Sequence, residues 1–337
     1  MKRRAINWQE CATDLAAAIP RDRLHPAVLG WAAASPARAE WVVAFSGGAD
    51  SLALLLLVWA HWPKRRARLS ALHFNHRLRG RAAAADEKFC ARVCQALGVK
   101  LVRGAWGRAH RGASEAEARA ARMAFFEQRV RVVWLGHQQN DIAETILMRL
   151  ARGSGTAGLA APRPVQAQPH GRMHLRPLLT LKKTELIAAL RTVGATWRED
   201  ATNARDDFFR NRIRRAVLPA WSRAAERDVF SGAALARELL EEDDTALEAR
   251  VDELSPLAAD KSLPLKKLSG QPRAIVRRAL YRWLLAQPRA GQLARQGFEA
   301  LLVAVERGAP TRHSLGREGF AVIRGGVLRF KRAERRR

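Results

Sequence analysis

Short apolar runs return along the first half of the chain at a steady interval: WVVAF from Trp41, LSALHF from Leu69, KLV from Lys100 and RVVWLG from Arg131. Their starts lie 28, 31 and 31 residues apart, the spacing of strand–helix units. Between them, residues 51–60, 86–97, 115–128 and 141–150 carry apolar positions at helical spacing. The pattern predicts an α/β fold built on a parallel, doubly wound sheet with helices on both faces. Ligands of such sheets bind at the carboxyl ends of the strands. Here those ends are SGGADS, HFNHRLRG and GHQQND, all polar or glycine-rich.

Further along, residues 152–174 hold so many Gly, Pro and polar residues that they predict a long, mobile or substrate-touching loop. A helix in LKKTELIAALRTVGA follows, then a basic helix in FFRNRIRRAVLPAW, entered through an Asp/Asn-rich turn. After about Arg223 the character changes to Ala/Leu/Glu helices, and GFAVIRGGVLRFKR predicts a hairpin with a Gly-Gly turn. The expected organisation is an N-terminal helical segment (1–38), a main α/β domain (39–222) and a smaller, mainly helical C-terminal domain (223–337).

Composition narrows the partners. The 337 residues are 48% hydrophobic, enough for two buried cores, and no run is long enough to span a bilayer. Lys and Arg outnumber Asp and Glu by 60 to 32, a formal net charge of +28 that predicts a polyanionic partner. The alternative, a generally Arg-rich composition, stays open. Cys11, Cys90 and Cys94 form no CxxC pair, and Cys90 and Cys94 stand i,i+4, as two small core residues on one helix would. No signal sequence follows the first basic residues, so a reducing cytoplasm is expected.

The sharpest chemistry lies in WVVAFSGGADSLALLLL. Gly47 and Gly48 let the backbone turn its N–H groups into one concavity where a helix begins, a place suited to phosphate. There is no Walker A lysine and no GxGxxG. Ser46 and Ser51 can donate to phosphate oxygens. Asp50 would repel a bare phosphate; it is either a Mg²⁺ ligand or holds the loop shut by accepting N–H bonds.

The order strand, SGGxDS, apolar helix resembles the pyrophosphate-binding loop of the N-type ATP pyrophosphatases, the PP-loop superfamily. Within it, residues 40–220 resemble the tRNA(Ile)-lysidine synthases. HFNHRLRG is similar to their VNHGLR loop, with Arg77 where glycine is usual. SEAEARAARMAFF resembles EExAR..RY through Glu115, Ala118, Arg119 and Arg122, with Met123 replacing tyrosine. GHQQNDIAETILMRLARGSGTAGLAA is similar to HxxDDQAETxLxRLxRGSGxxGLxx through His137, Asp141, Glu144, Thr145 and Arg152 to Gly155. EDATNARDDFFRNRIRRAVLP resembles EDxSN...RNxIRxxxxP through Asp200, Asn203, Arg210, Asn211, Ile213, Arg214 and Pro219. Within the signature, Asn140 replaces the first acid of the DD pair and Ile142 the usual glutamine.

The resemblance implies a ligase using ATP, Mg²⁺, L-lysine and the isoleucine tRNA with a CAU anticodon. The cytidine C2 oxygen attacks the α-phosphate, and the lysine ε-amine then displaces AMP. It implies that Ser46, Gly47, Gly48, Ala49, Asp50 and Ser51 hold the pyrophosphate, Asp50 with Mg²⁺. Asp50, Asp141 and Glu144 form the expected catalytic set, the last two binding the lysine ammonium or a metal. His137, Asn140, Arg119, Arg122, Arg152, Arg210, Arg212 and Arg214 are expected at the substrate and tRNA. Phe208 and Phe209 are candidate platforms for splayed bases. Asn140 retains an amide oxygen for a metal or ammonium. The rival readings are a PP-loop tRNA thiolase, which would need suitably placed cysteines, and a noncatalytic RNA-binding protein on the same fold.

Overall fold

The computed structural model describes residues 6–77, 80–107, 115–199, 209–287, 293–317 and 319–333. Asp200, Asn203 and Phe208 lie outside the described residues, as does the side chain of Glu115. The chain divides into two compact units, Met1–Glu241 and Glu242–Arg337.

The first unit opens with α1 (Trp8–Ala18) and α2 (Pro26–Ala34), then alternates β1 (Trp41–Ala44), α3 (Ala49–His61), β2 (Leu69–Asn75), α4 (Arg81–Leu97), β3 (Lys100–Ala105), α5 (Glu115–Arg129), β4 (Val132–Trp134) and α6 (Gln139–Leu150). Each repeating apolar run becomes a strand, and each segment of helical spacing a helix. The sheet order is β3-β2-β1-β4-β6-β5, parallel throughout except at β5. After β3 the chain crosses back to place β4 on the other side of β1, which makes the β1–β4 junction the topological switch point.

Alternation along β1 explains the two layers. Trp41 and Val43 join one core with Leu52, Leu55, Phe89 and Leu186, while Val42 faces a second with Leu72, Phe126 and Val133. Helix α3 is buried along nearly its whole length, which is why its leucines show little amphipathic contrast. Trp8, Leu15, Leu24 and Val28 lie in the first of these cores, so the N-terminal helices complete the sheet's cover. Trp41 and Trp134, both fully buried, pack with tilted rings 4.6 Å apart between centroids across the β1–β4 pair.

Residues 152–174 depart from the expected long loop. They form α7 (Thr156–Leu159), β5 (Val165–Gln168) and the start of β6 (Arg172–Leu175), a hairpin that extends the sheet beyond β4. Its prolines and glycines bracket strands of only four residues, too short for alternation to show. Then come α8 (Lys183–Thr192), α9 (Phe209–Arg212), a π-helical stretch (Ile213–Val217), α10 (Leu218–Ala225) and α11 (Val229–Leu254). The division between units falls inside α11, further on than the change of composition near residue 223.

The second unit contains β7 (Leu263–Pro264), α12 (Arg273–Leu285), α13 (Arg295–Arg307), β8 (Thr311–Ser314), β9 (Gly319–Arg324) and β10 (Val327–Arg332). Its helices share a core with an antiparallel sheet of order β7-β10-β9-β8. Gly325 and Gly326, at φ +58° and +70°, make the tight turn between β9 and β10.

Candidate active site

The corner after β1 is built from backbone and hydroxyl groups. Gly47 takes φ +91°, and a Cβ there would meet Cys90 Sγ at 3.2 Å and Phe89 at 3.3 Å. Ser51 Oγ accepts from the Ser46 N–H (3.2 Å) and donates to the Gly48 carbonyl (3.0 Å), and it lies 3.0 Å from Ser46 Oγ. Gly48 is the N-cap of α3 and offers no side-chain cap, so the N–H groups of Ala49, Asp50 and Ser51 at the positive helix end lack intrahelical acceptors. All the residues expected around pyrophosphate are thus brought together.

Asp50 does not close the loop by accepting its N–H groups. Its Oδ1 is buried with no hydrogen-bond partner among the described residues, and Oδ2 faces Lys183 Nζ at 3.6 Å. Burial pushes its pKa up, against the opposing pull of the Lys183 ammonium. A desolvated carboxylate oxygen with no donor fits a hard cation, and one carboxylate with substrate phosphate oxygens is a common magnesium ligand set.

Beside it, at the end of β4, Gln138 and Asp141 form a reciprocal cap on α6: the Gln138 N–H donates to Asp141 Oδ2 at 3.0 Å, and the Asn140 N–H to Gln138 Oε1 at 2.6 Å. Asn140 Oδ1 accepts from the Lys183 N–H at 3.1 Å. Its amide oxygen therefore helps hold the start of α8 and keeps a second lone pair.

Asp141 and Glu144 share a guanidinium. Arg210 donates to Asp141 Oδ1 (2.5 Å) and Glu144 Oε2 (2.6 Å), and Arg214 donates to both Glu144 oxygens (2.6 and 3.0 Å). Glu144 is fully buried. The i,i+4 spacing of the arginines lets α9 and the π-helical stretch deliver both to one carboxylate. The cations for this acid pair are thus supplied by the protein itself.

His137 Nδ1 accepts from Arg176 Nε at 3.0 Å. Burial, then the charges of Arg176, Arg210, Arg119 and Arg122, hold its pKa well below the ordinary value, so it is neutral. Arg176 is itself drawn down to about 10 by burial and by Arg119. The charges of Arg119 and Arg122 are thus both felt at His137. Arg152 and Arg212 are both exposed, Arg152 beyond the end of α6 and Arg212 5.8 Å from the Phe209 ring centroid.

Sequence reasoning missed Lys183, Arg176 and Arg198. The Arg198 N–H donates to the Gly47 carbonyl (2.9 Å) while its Nε donates to buried Asp86 on α4 (2.7 Å), holding residues beyond α8 against the loop. Their only signals were a Lys-Lys pair at a helix start, an Arg before Pro and an Arg next to the acidic turn. Arg77 explains its own departure from pattern: it sits at φ +57°, where glycine is strain-free, and Asn75 Oδ1 accepts its N–H at 2.8 Å.

A capless helix N-terminus and a desolvated acid at the switch point of a parallel sheet are features of an α/β protein that suit a nucleotide's phosphates. The chain belongs to the PP-loop domain family, an ATP-binding family whose pattern it matches over residues 2–221. It is 40% identical over 215 residues to a tRNA(Ile)-lysidine synthase of Symbiobacterium thermophilum, covering 61% of this chain and 44% of that one. For proteins of the same name, identity is 38% in Geobacter sulfurreducens (77% and 57% covered) and 44% in Pseudomonas syringae pv. tomato (58% and 44%). The chain spans about half the length of the curated relatives it matches. The U34-tRNA thiolase NcsA from Methanococcus maripaludis, solved with its [4Fe-4S] cluster, shares the fold at TM-score 0.50 and 15% identity, over 69% of this chain and 78% of that one. No helix among the described residues is long and apolar enough to cross a membrane.

Proposed function

We propose that this chain is a cytoplasmic tRNA(Ile)-lysidine synthase, using ATP and Mg²⁺ to join L-lysine to the wobble cytidine of the isoleucine tRNA with a CAU anticodon. The observation that carries the reading is the coupling of two motifs through one residue: Lys183 faces Asp50 with its side chain and Asn140 with its backbone. It sets the phosphate corner beside the acid pair.

In the first step the cytidine C2 oxygen attacks the α-phosphorus and pyrophosphate leaves. The N–H groups at the start of α3, with Ser46 and Ser51, stabilise the charge gathering on the departing oxygens. Asp50 would hold Mg²⁺, which supplies further charge neutralisation on those oxygens. In the second step the ε-amine, having lost a proton, attacks C2, and the C–O bond breaks so that the former C2 oxygen leaves with AMP. We assign Asp141 and Glu144 to the lysine ammonium, with Arg210 and Arg214 balancing the pair until lysine arrives. We assign Arg119 and Arg122, whose charges are felt at His137, to the adenylate phosphate.

The thiolase reading draws less support. All three cysteines are buried, Cys11 donates to the Val193 carbonyl, and burial pushes Cys94 up to about 12 and Cys90 higher still. The deciding experiment is mass spectrometry of the isoleucine tRNA after incubation with ATP and labelled lysine. The wobble base should gain one lysine less one water, and an ¹⁸O label at C2 should appear in AMP. An unmodified tRNA, or a sulfur-for-oxygen exchange, overturns the proposal.

A further inference from the structure

Arg176, at the end of β6, is a buried cation that forms no ion pair among the described residues; it is 4% exposed. Its Nε donates to His137 Nδ1 at 3.0 Å and its Nη1 to the Arg163 carbonyl at 2.7 Å, while its Nη2 donates to nothing among the described residues. Both acceptors are neutral, because burial keeps His137 unprotonated. They fix the plane of the guanidinium and leave its charge unbalanced. Burial and the nearby charge of Arg119 outweigh the opposing pull of Asp141. A desolvated guanidinium in such surroundings is costly to the fold unless an anion completes it.

Sheet order says which anion. Strands β1, β4 and β6 run side by side and parallel. Beyond their carboxyl ends come, in turn, the phosphate corner, the Asp141 and Glu144 pair on α6, and Arg176. Leu175 pairs with Trp134, so Arg176 leaves β6 level with the end of β4, and its guanidinium meets His137, one residue before the cap of α6. In strand order the acid pair therefore stands between the phosphate corner and Arg176. Neighbouring strands are about 4.8 Å apart, and an extended lysine spans roughly 7 Å from its ε-nitrogen to its carboxyl carbon. A lysine with its ε-ammonium at the acids can thus set its carboxylate against Arg176, on the side away from the nucleotide.

We propose that Arg176 binds the α-carboxylate of the incoming lysine and so selects the free amino acid over its amide or a simple diamine. The inference deepens the functional reading and rests on it for lysine as substrate. A guanidinium held in plane by two neutral acceptors, with Nη2 unused, matches the geometry of a carboxylate. Phosphate would also suit a guanidinium, but the departing phosphates have their own donors at the start of α3, beyond β1 and two strands away.

The test gives the full chain ATP, the isoleucine tRNA and, in turn, L-lysine, L-lysinamide and cadaverine. The parent should favour lysine over either analogue in KM by on the order of tenfold, as one charge-assisted hydrogen bond allows. Arg176→Gln should bring that preference to within about twofold by raising the KM for lysine, and Arg176→Lys, which keeps the charge without the fork, should retain part of it. Equilibrium dialysis of labelled lysine, with lysinamide as competitor, reads the same preference without turnover. A parent that takes lysinamide as readily as lysine overturns the proposal, as does a preference that survives in Arg176→Gln. Parallel losses of ATP and lysine affinity in that variant would make Arg176 a structural tie and overturn it too. If Arg176→Gln does not fold, Arg176→Lys reads the contact: a weakened preference supports it and an unchanged one overturns it. A parent that forms no lysidine, yet binds lysine ahead of lysinamide in dialysis, counts against the functional reading alone.

Discussion

Gly136 sits against the first turn of α3 so closely that a Cβ there would lie 2.8 Å from the Asp50 carbonyl oxygen and 3.2 Å from the Ser51 nitrogen. The end of β4 and the phosphate corner are therefore in backbone contact, with nothing flexible between them to yield. Gly136→Ala should push α3 and the corner apart, lowering stability by about 1–3 kcal/mol and weakening ATP binding. Thermal unfolding and ATP titration read the two effects. An unchanged ATP affinity would show the contact to be without functional weight.

Asp50 holds an unsatisfied, desolvated oxygen, so its retention is a cost to folding. Asp50→Asn should be as stable as the parent or more so, yet release pyrophosphate more slowly by on the order of 10². Urea unfolding with a pyrophosphate-release assay separates these outcomes, and parent-like turnover would remove Asp50 from the machinery.

Glu144 balances two guanidiniums from a fully buried position. Glu144→Ala strips Arg210 and Arg214 of the carboxylate they share, and should cost about 3–5 kcal/mol in urea unfolding. Arg152→Ala, at an exposed position, should cost under about 0.5 kcal/mol. Similar costs for both would contradict the buried network.

Burial lowers the pKa of His25 to about 4, as it does that of His174, aided by nearby arginines. For such histidines the unfolded chain takes up protons first, so folding stability rises with pH across this range. As pH falls from about 6.5 toward 4, stability should drop by on the order of 3 kcal/mol per histidine. Chemical denaturation at several pH values checks this, and His174→Gln should flatten the dependence if its burial is the cause.

Replacing Cys11, Cys90 and Cys94 together by Ala removes every thiol in the chain. The buried positions make some loss of stability expected, roughly 1 kcal/mol per site. Lysidine formation at low temperature should persist. A folded variant that has lost all turnover would bring thiol chemistry back.

The repeating apolar runs determined the β1–α3 to β4–α6 succession, because period and spacing are local properties that burial on two faces demands. The turn from β1 into α3 was equally legible, since its Gly, Ser and Asp residues lie within a few positions of one another. The hairpin in 152–174 was not: β6 is a strand because it finds β4, about forty residues earlier in the chain. The partners of the site were likewise hidden. Lys183 reaches Asp50, Arg198 reaches Gly47 and Asp86, and Arg210 reaches Asp141 across more than sixty positions, through contacts that sequence spacing does not encode. Which cation each of these carboxylates meets in the folded chain was decided only when sheet order and helix packing brought those charges together.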